Sequence, residues 1–349
     1  MLKKFFLLVF YLFLVLQLRA QNADNNIDLD VFELKNTSIR AIEVVNDSTV
    51  WFAGSNGKYG RITNSVVEMD SIIFNDHPLN FRSIAFNGNN IFVLSIENPA
   101  VLFKIEPFNK KLDHIKIVYK EDHEKVFYDA MTFFDDQGGI AMGDPTNGCL
   151  SVILTSDGGN SWQKVNCKDL PKIMDGEAAF AASNSNIAVF EKHAWLVTGG
   201  KKARVFYSKN LGKKWDVFET PMIQGGKMTG IFSVDFYDEK NGIIMGGDWE
   251  EKTNTTATKA LTKDGGKTWK LIDNNSIPGY ISCVKYVPET NGKKLVAVST
   301  EGIFYSNNEG TKWKKLSDEG FYSVNFINKN SAWLSGHQKI AKMQLYKIN

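Results

Sequence analysis

The stretch Thr155-Ser156-Asp157-Gly158-Gly159-Asn160-Ser161-Trp162 decides the fold, because it returns three more times with the same chemistry at the same offsets. The later copies are Ser208-Lys209-Asn210-Leu211-Gly212-Lys213-Lys214-Trp215, Thr262-Lys263-Asp264-Gly265-Gly266-Lys267-Thr268-Trp269 and Ser306-Asn307-Asn308-Glu309-Gly310-Thr311-Lys312-Trp313. Each reads Ser/Thr-x-Asp/Asn-x-Gly-x-x-Trp. A tight turn between strands needs a residue that tolerates positive φ, which Gly supplies, and an Asp or Asn that accepts from the turn's own amides. The Ser/Thr hydroxyl closes the same network, and the Trp returns into a sheet to bury a wide apolar face. Asp157, Gly159, Trp162, Asn210, Gly212 and Trp215 therefore read as structural. The same holds for Asp264, Gly266, Trp269, Asn308, Gly310 and Trp313, because the local backbone already uses the carboxylate and amide oxygens.

Outward from these turns the chain keeps repeating. The tryptophans at 162, 215, 269 and 313 lie 53, 54 and 44 residues apart, a period in the range of propeller blades. Seven short β-rich runs end in a small residue, at 50–54, 91–95, 139–143, 194–199, 242–246, 295–299 and 332–336. Seven alternating runs precede them, at 39–45, 81–86, 128–134, 177–182, 231–237, 280–286 and 321–327. The pattern predicts an all-β chain, a seven-bladed β-propeller of four-stranded antiparallel blades. Expected blades are 38–75, 81–119, 127–168, 177–219, 229–273, 279–317, and 321–349 completed by 28–36. The N-terminal strand would thus close the last blade and leave no exposed edge.

The first twenty residues read as a secretory signal peptide, with Lys3 and Lys4 ahead of an apolar run at 5–16 and a small residue at Ala20. That run is shorter than the roughly 20 residues a membrane helix needs, and no second one follows, so no membrane span is expected. Residues 21–349 form one expected domain, secreted or periplasmic. Lys3, Lys4 and Arg19 leave with the signal, so 41 basic residues fall to 38 against 39 acidic ones. A neutral chain has no general field for phosphates, which argues against nucleic acid. Cys149 and Cys167 flank a predicted hairpin, open to either a disulfide or two thiols, and Cys283 sits in an apolar strand.

The four turns resemble the Asp box of BNR-repeat proteins. Together with Phe127-Tyr128-Asp129-Ala130, Gly143-Asp144-Pro145, the run at 176–183, Gly199-Gly200 and Gly246-Gly247-Asp248, they make the chain similar to propellers related to the photosystem II assembly/stability factor family. More distantly it resembles sialidase and sortilin-type propellers. Relatives of this kind carry glycosyl hydrolase or oxidoreductase names. A dinucleotide site needs G-x-G-x-x-G between a strand and a helix, and Gly54, Gly57 and Gly60 have the wrong spacing. The five histidines are dispersed without ligand spacing. No cofactor and no metal are expected.

Aligned starts of the innermost strands place Arg40, Arg82, Asp129, Glu177, Tyr280 and Tyr322 on one rim, with a gap around Thr229. Ends of the second strands add Asp144, Arg204, Asp248 and His337. Arginine offers a planar fork for carboxylates, so the rim reads either as a recognition pocket or as arginines that neutralise Asp129 and Glu177. Ligand-binding candidates are Arg40, Arg82, Arg204, Asp144, Asp248, Tyr280, Tyr322 and His337. The leading expectation is a binding or assembly module for a protein segment or glycan, with its oligomeric state open. The alternative is a glycan-acting hydrolase or lyase with Asp129 and Glu177 as its catalytic pair.

Overall fold

The computed structural model describes residues 26–109, 112, 114–272 and 276–346, so the expected leader at 1–20 lies outside the described residues. Strands dominate: the one helical element among the described residues is the 3-10 turn Cys167–Asp169. Among the same residues no helix is long and apolar enough to cross a membrane.

The strands pair antiparallel into six blade sheets and one small hairpin, Ile73–Phe74 with His77–Pro78. Seven blades were expected, and the strand Ile27–Asn46 is the reason for the difference. Its residues 27–33 pair with 339–345, and its residues 39–46 pair with 49–54. One 20-residue strand therefore joins the last repeat to the first, with a break in register between Glu33 and Ser38. The first sheet then runs Ser323–Asn328, Ser331–Leu345, Ile27–Asn46, Thr49–Gly54, Lys58–Thr63 and Val66–Ser71. The last repeat has no sheet of its own.

The second sheet begins with Phe81–Phe86, the third with Tyr128–Phe133, and the sixth with Cys283–Tyr286, each four strands wide. The fourth begins with Ile187–Phe190 rather than with the expected run at 177–182. The run Glu-Ala-Ala-Phe-Ala-Ala has no β-branched residue to pack on a pleated surface, whereas Ile187-Ala188-Val189-Phe190 has two. Glu177–Ala178 instead pairs with Gly199–Gly200 and joins the inner edge of the fifth sheet, beside Thr229–Phe236.

The turn motif folds as its residues dictate. Thr155 Oγ1 donates to Asp157 Oδ1 at 2.8 Å, and the Gly159 amide donates back to Thr155 Oγ1 at 3.1 Å. Ser161 donates its amide and hydroxyl to the two Asp157 oxygens at 3.0 and 2.6 Å. The Ser161 hydroxyl above all holds the Asp157 carboxyl down at about 2. Gly159 has φ 76°, and a Cβ there would lie 2.4 Å from the Phe92 ring of the preceding sheet. Gly212, Gly266 and Gly310 likewise sit against Leu154, Trp195 and Ile243 of the sheets before them. Trp162 joins the cluster of Phe92 and Phe133, with ring centroids 6.3 and 5.6 Å away.

Cys149 and Cys167 are bonded, with their Cα atoms 5.6 Å apart, and close a loop of sequence separation 18. A closed loop of that size stabilises by about 3 kcal/mol through the entropy it removes from the unfolded chain. The double variant Cys149→Ser/Cys167→Ser should therefore lose about that much in urea unfolding, with native far-UV circular dichroism retained.

Candidate functional site

Four innermost strands share one irregularity. The pairing skips a residue between Ile39 and Ala41, between Phe81 and Ser83, between Tyr128 and Ala130, and between Ile231 and Ser233. The extra residues are Arg40, Arg82, Asp129 and Phe232. A β-bulge leaves its extra residue out of the ladder and re-aims the side chain, so four equivalent positions deliver two cations, one acid and one aromatic ring to the same rim.

A segment at 179–186 lies over that rim. The Ala179 amide donates to Asp144 Oδ1 at 2.8 Å, while Arg82 and Arg40 donate to the carbonyls of Ala181 and Ala182 at 3.4 and 3.2 Å. Asn184 donates to the Ile84 carbonyl at 2.8 Å and accepts from the Met131 amide at 2.9 Å. Ser185 donates to Ser233 at 2.8 Å, and Ser183 donates to the Ser282 carbonyl. One strap is thus bonded to the first, second, third, fifth and sixth sheets. Only a segment crossing the axis can reach all five.

Between the strap and the rim lies a cavity of about 440 Å³. Its charged walls are Arg40, Arg82, Lys227 and Asp144. Its aromatic wall is ordered: Phe180 stacks on Phe232 with centroids 4.0 Å apart and planes 7° from parallel, and Tyr280 meets Phe232 and Trp249 edge-on at 4.9 and 5.3 Å. The Arg40 guanidinium also lies 4.2 Å over the Tyr322 ring. Neither Arg40 nor Arg82 is within ion-pair distance of a carboxylate among the described residues. Burial, and then the charge of Arg40, hold Arg82 below the usual arginine range, opposed by Asp129, Glu97 and Tyr322.

The acids behave differently from one another. Asp129 is fully buried and neither of its carboxyl oxygens has a hydrogen-bond partner at normal geometry; the neighbouring Asp144 amide is committed to the Phe127 carbonyl at 2.8 Å. Burial, and then the Asp144 carboxyl, push Asp129 well above the usual range, against the pull of Arg82. Burial raises Asp144 to about 6, tempered by the Ala179 amide. Glu177 does not face the cavity. Arg204 Nε reaches its two oxygens at 3.0 and 3.1 Å and Nη2 one of them at 2.6 Å, and Thr198 and the Met174 amide donate at 2.6 and 2.9 Å. Glu177 and Arg204 hold the root of the strap, with Arg204 also donating to the Lys172 carbonyl at 2.9 Å.

The structure thus brings Arg40, Arg82, Asp144 and Tyr280 to one cavity, with Asp129 and Tyr322 directly behind them. It sets Arg204 and Glu177 aside as a pair. Asp248 accepts from the Glu250 amide at 2.8 Å outside the cavity wall, and His337 is exposed beside Gln338. Phe180, Phe232, Trp249 and Lys227 were not anticipated. Phe232 had a signal: Ile231-Phe232-Ser233 matches Phe81-Arg82-Ser83 and Phe321-Tyr322-Ser323, whereas the alignment looked to Thr229. Among the described residues no group of three or more His, Cys, Asp or Glu is placed to hold a metal ion.

Comparisons with known proteins bear on this architecture. The family model described as "Sortilin, neurotensin receptor 3," matches residues 150–285, less than half of the chain. The solved structure titled "YCF48 bound to D1 peptide" superposes with a TM-score of 0.66 at 11% identity, covering 91% of this chain and 95% of that one. The chain is a β-propeller. YCF48 from Cyanidioschyzon merolae gives a TM-score of 0.61 at 12% identity, covering 91% of this propeller and 98% of that chain. The WD40 beta propeller domain of Doa1 gives 0.61 at 12% identity, with 93% and 98% covered. A search of curated protein sequences gave no match.

Two stability measurements check the assignment of the acids. Glu177→Gln leaves Arg204 buried without its counter-charge and should cost about 3 to 5 kcal/mol in chemical denaturation. For Asp144 the folded value lies above the unfolded one, so its contribution to stability is full below about pH 4 and is lost as pH rises through about 6. Wild type should accordingly lose ground to Asp144→Asn between those pH values, by on the order of 2 kcal/mol, and run parallel to it above them.

Proposed function

We propose that this propeller is an exported binding module that captures an anionic protein segment in the cavity beneath its strap. The observation that carries the reading is the adjacent pair Arg40 and Arg82, which among the described residues donate only to strap carbonyls and pair with no carboxylate. Two half-buried like charges repel, so a site that keeps them side by side is poised for an anion. The aromatic wall of Phe232, Tyr280 and Trp249 supplies the apolar half of the match. Chain segments offer that combination of acidic and apolar side chains, and a propeller of similar fold has been solved as "YCF48 bound to D1 peptide". Glu177, committed to Arg204, is not available as one of two catalytic carboxylates, which favours capture over hydrolysis.

The test is fluorescence anisotropy with a labelled hexapeptide of alternating Phe and Glu, beside a panel of acidic and neutral glycans assayed for binding and product release. Wild type should bind the peptide and cleave no glycan. Arg40→Ala and Arg82→Ala should each weaken the peptide at least tenfold, the loss of one charge-assisted contact. Glycan turnover, or peptide affinity untouched by both substitutions, would overturn the reading.

A further inference from the structure

The carboxyl pair behind Arg82 has no part in simple anion capture, and its placement is hard to reconcile with a site of fixed charge. Asp129 sits on a bulge, fully buried, with neither oxygen bonded to a donor. Arg82 and the Asp144 amide favour its charged form, but burial and the Asp144 carboxyl outweigh them, and a carboxyl so placed keeps its proton. Asp144 is the cavity-facing member. One of its oxygens accepts from the strap at Ala179. Its partners across the cavity are cationic: Arg40 from the first sheet, Arg82 from the second and Lys227 from the loop before the fifth. The remaining charged and titratable groups facing this cluster are Glu97, which acts on Arg82, and the phenols of Tyr280 and Tyr322. Nearby Glu177 is tied to Arg204, and Lys164 to Glu121.

We propose that the cavity takes up its anionic ligand together with a proton, which Asp144 holds beside Arg82. The inference rests on the anion-binding reading above and adds to it how that site is regulated. An anion seated on Arg40 and Arg82 lies next to Asp144, where like charge disfavours ionisation of both. The ligand therefore binds the form in which Asp144 is neutral, and by linkage it raises the proton affinity of that carboxyl. The sign follows: binding is tightest on the acid side, and it weakens as pH rises through the value near 6 at which the free protein's Asp144 ionises. With Asp144 fully coupled to the ligand, affinity falls roughly tenfold for each pH unit above that midpoint. The device needs one titrating carboxyl, at Asp144, and a neutral neighbour at 129. Asp129, being neutral and walled off, supplies no counter-charge that would hold Arg82 away from the ligand.

The experiment is calorimetric titration of the full chain with the same Phe/Glu hexapeptide at pH 5.5 and 7.5, with the pH 7.5 titration run in two buffers of different ionisation enthalpy. Wild type should bind at least tenfold more tightly at pH 5.5 and take up close to one proton at pH 7.5. Asp144→Asn should bind with nearly equal affinity at both values and take up almost none. Asp129→Asn, if it folds, should keep the dependence on Asp144. Should it not fold, the Asp144→Asn comparison still decides. Equal wild-type affinity at the two pH values, or proton uptake undiminished in Asp144→Asn, overturns the proton coupling alone. Absence of binding at both values overturns the anion site and this inference with it. The peptide's own glutamates titrate below this range, and the variant comparison removes their contribution.

Discussion

Four of the six sheets, the third to the sixth, are held to the one before at a point where the chain has no side chain. At Gly159 a β-carbon would enter the Phe92 ring, and at Gly266 it would press on Trp195. The hydroxyl and the Asp or Asn side chain of each turn fix the backbone so that this bare position faces the neighbour, and the tryptophan three residues on covers the seam. The ring is therefore a chain of local fits, each made by side chains only a few residues apart in sequence. That is why a short motif can specify so large an assembly.

The site comes from a second local device, superimposed on the first. In a regular strand the residues at 40, 82, 129 and 232 would alternate into the sheet like their neighbours. The skipped pairing releases them, and the strap then takes hold of what has been released: its carbonyls accept from both arginines, and its Phe180 lies flat on Phe232. Because the bulge recurs at one level of four innermost strands, the gathering of charge does not depend on the number of sheets. Six sheets rather than seven leave the rim intact, since the merger occurs along the length of Ile27–Asn46, beyond the bulge at Arg40.

This division explains what was legible in the sequence. The turn motifs could be read residue by residue because their hydrogen bonds span at most four positions. Arg40, Arg82 and Asp129 were legible because each is the second residue of its alternating run, at 39–45, 81–86 and 128–134. The blade count was not, because whether a 20-residue strand stays in one ladder or leaves it is decided by pairing with residues more than 300 positions away. The strap was misread as a strand for a related reason. Its alternation suits a strand, but its small side chains leave its serine and asparagine groups to find partners in four other sheets, none of them visible locally. The pairing of Arg204 with Glu177 belongs to the same class, since the expected partners of Glu177 were the arginines that the strap now occupies.

The strap also supplies competition. Its carbonyls at Ala181 and Ala182 already hold the two guanidiniums, so an incoming anion would have to displace backbone acceptors and not merely solvent. Discrimination would follow: a group that accepts more strongly than a neutral carbonyl, as a carboxylate does, would draw Arg40 and Arg82 away, and a neutral one would not.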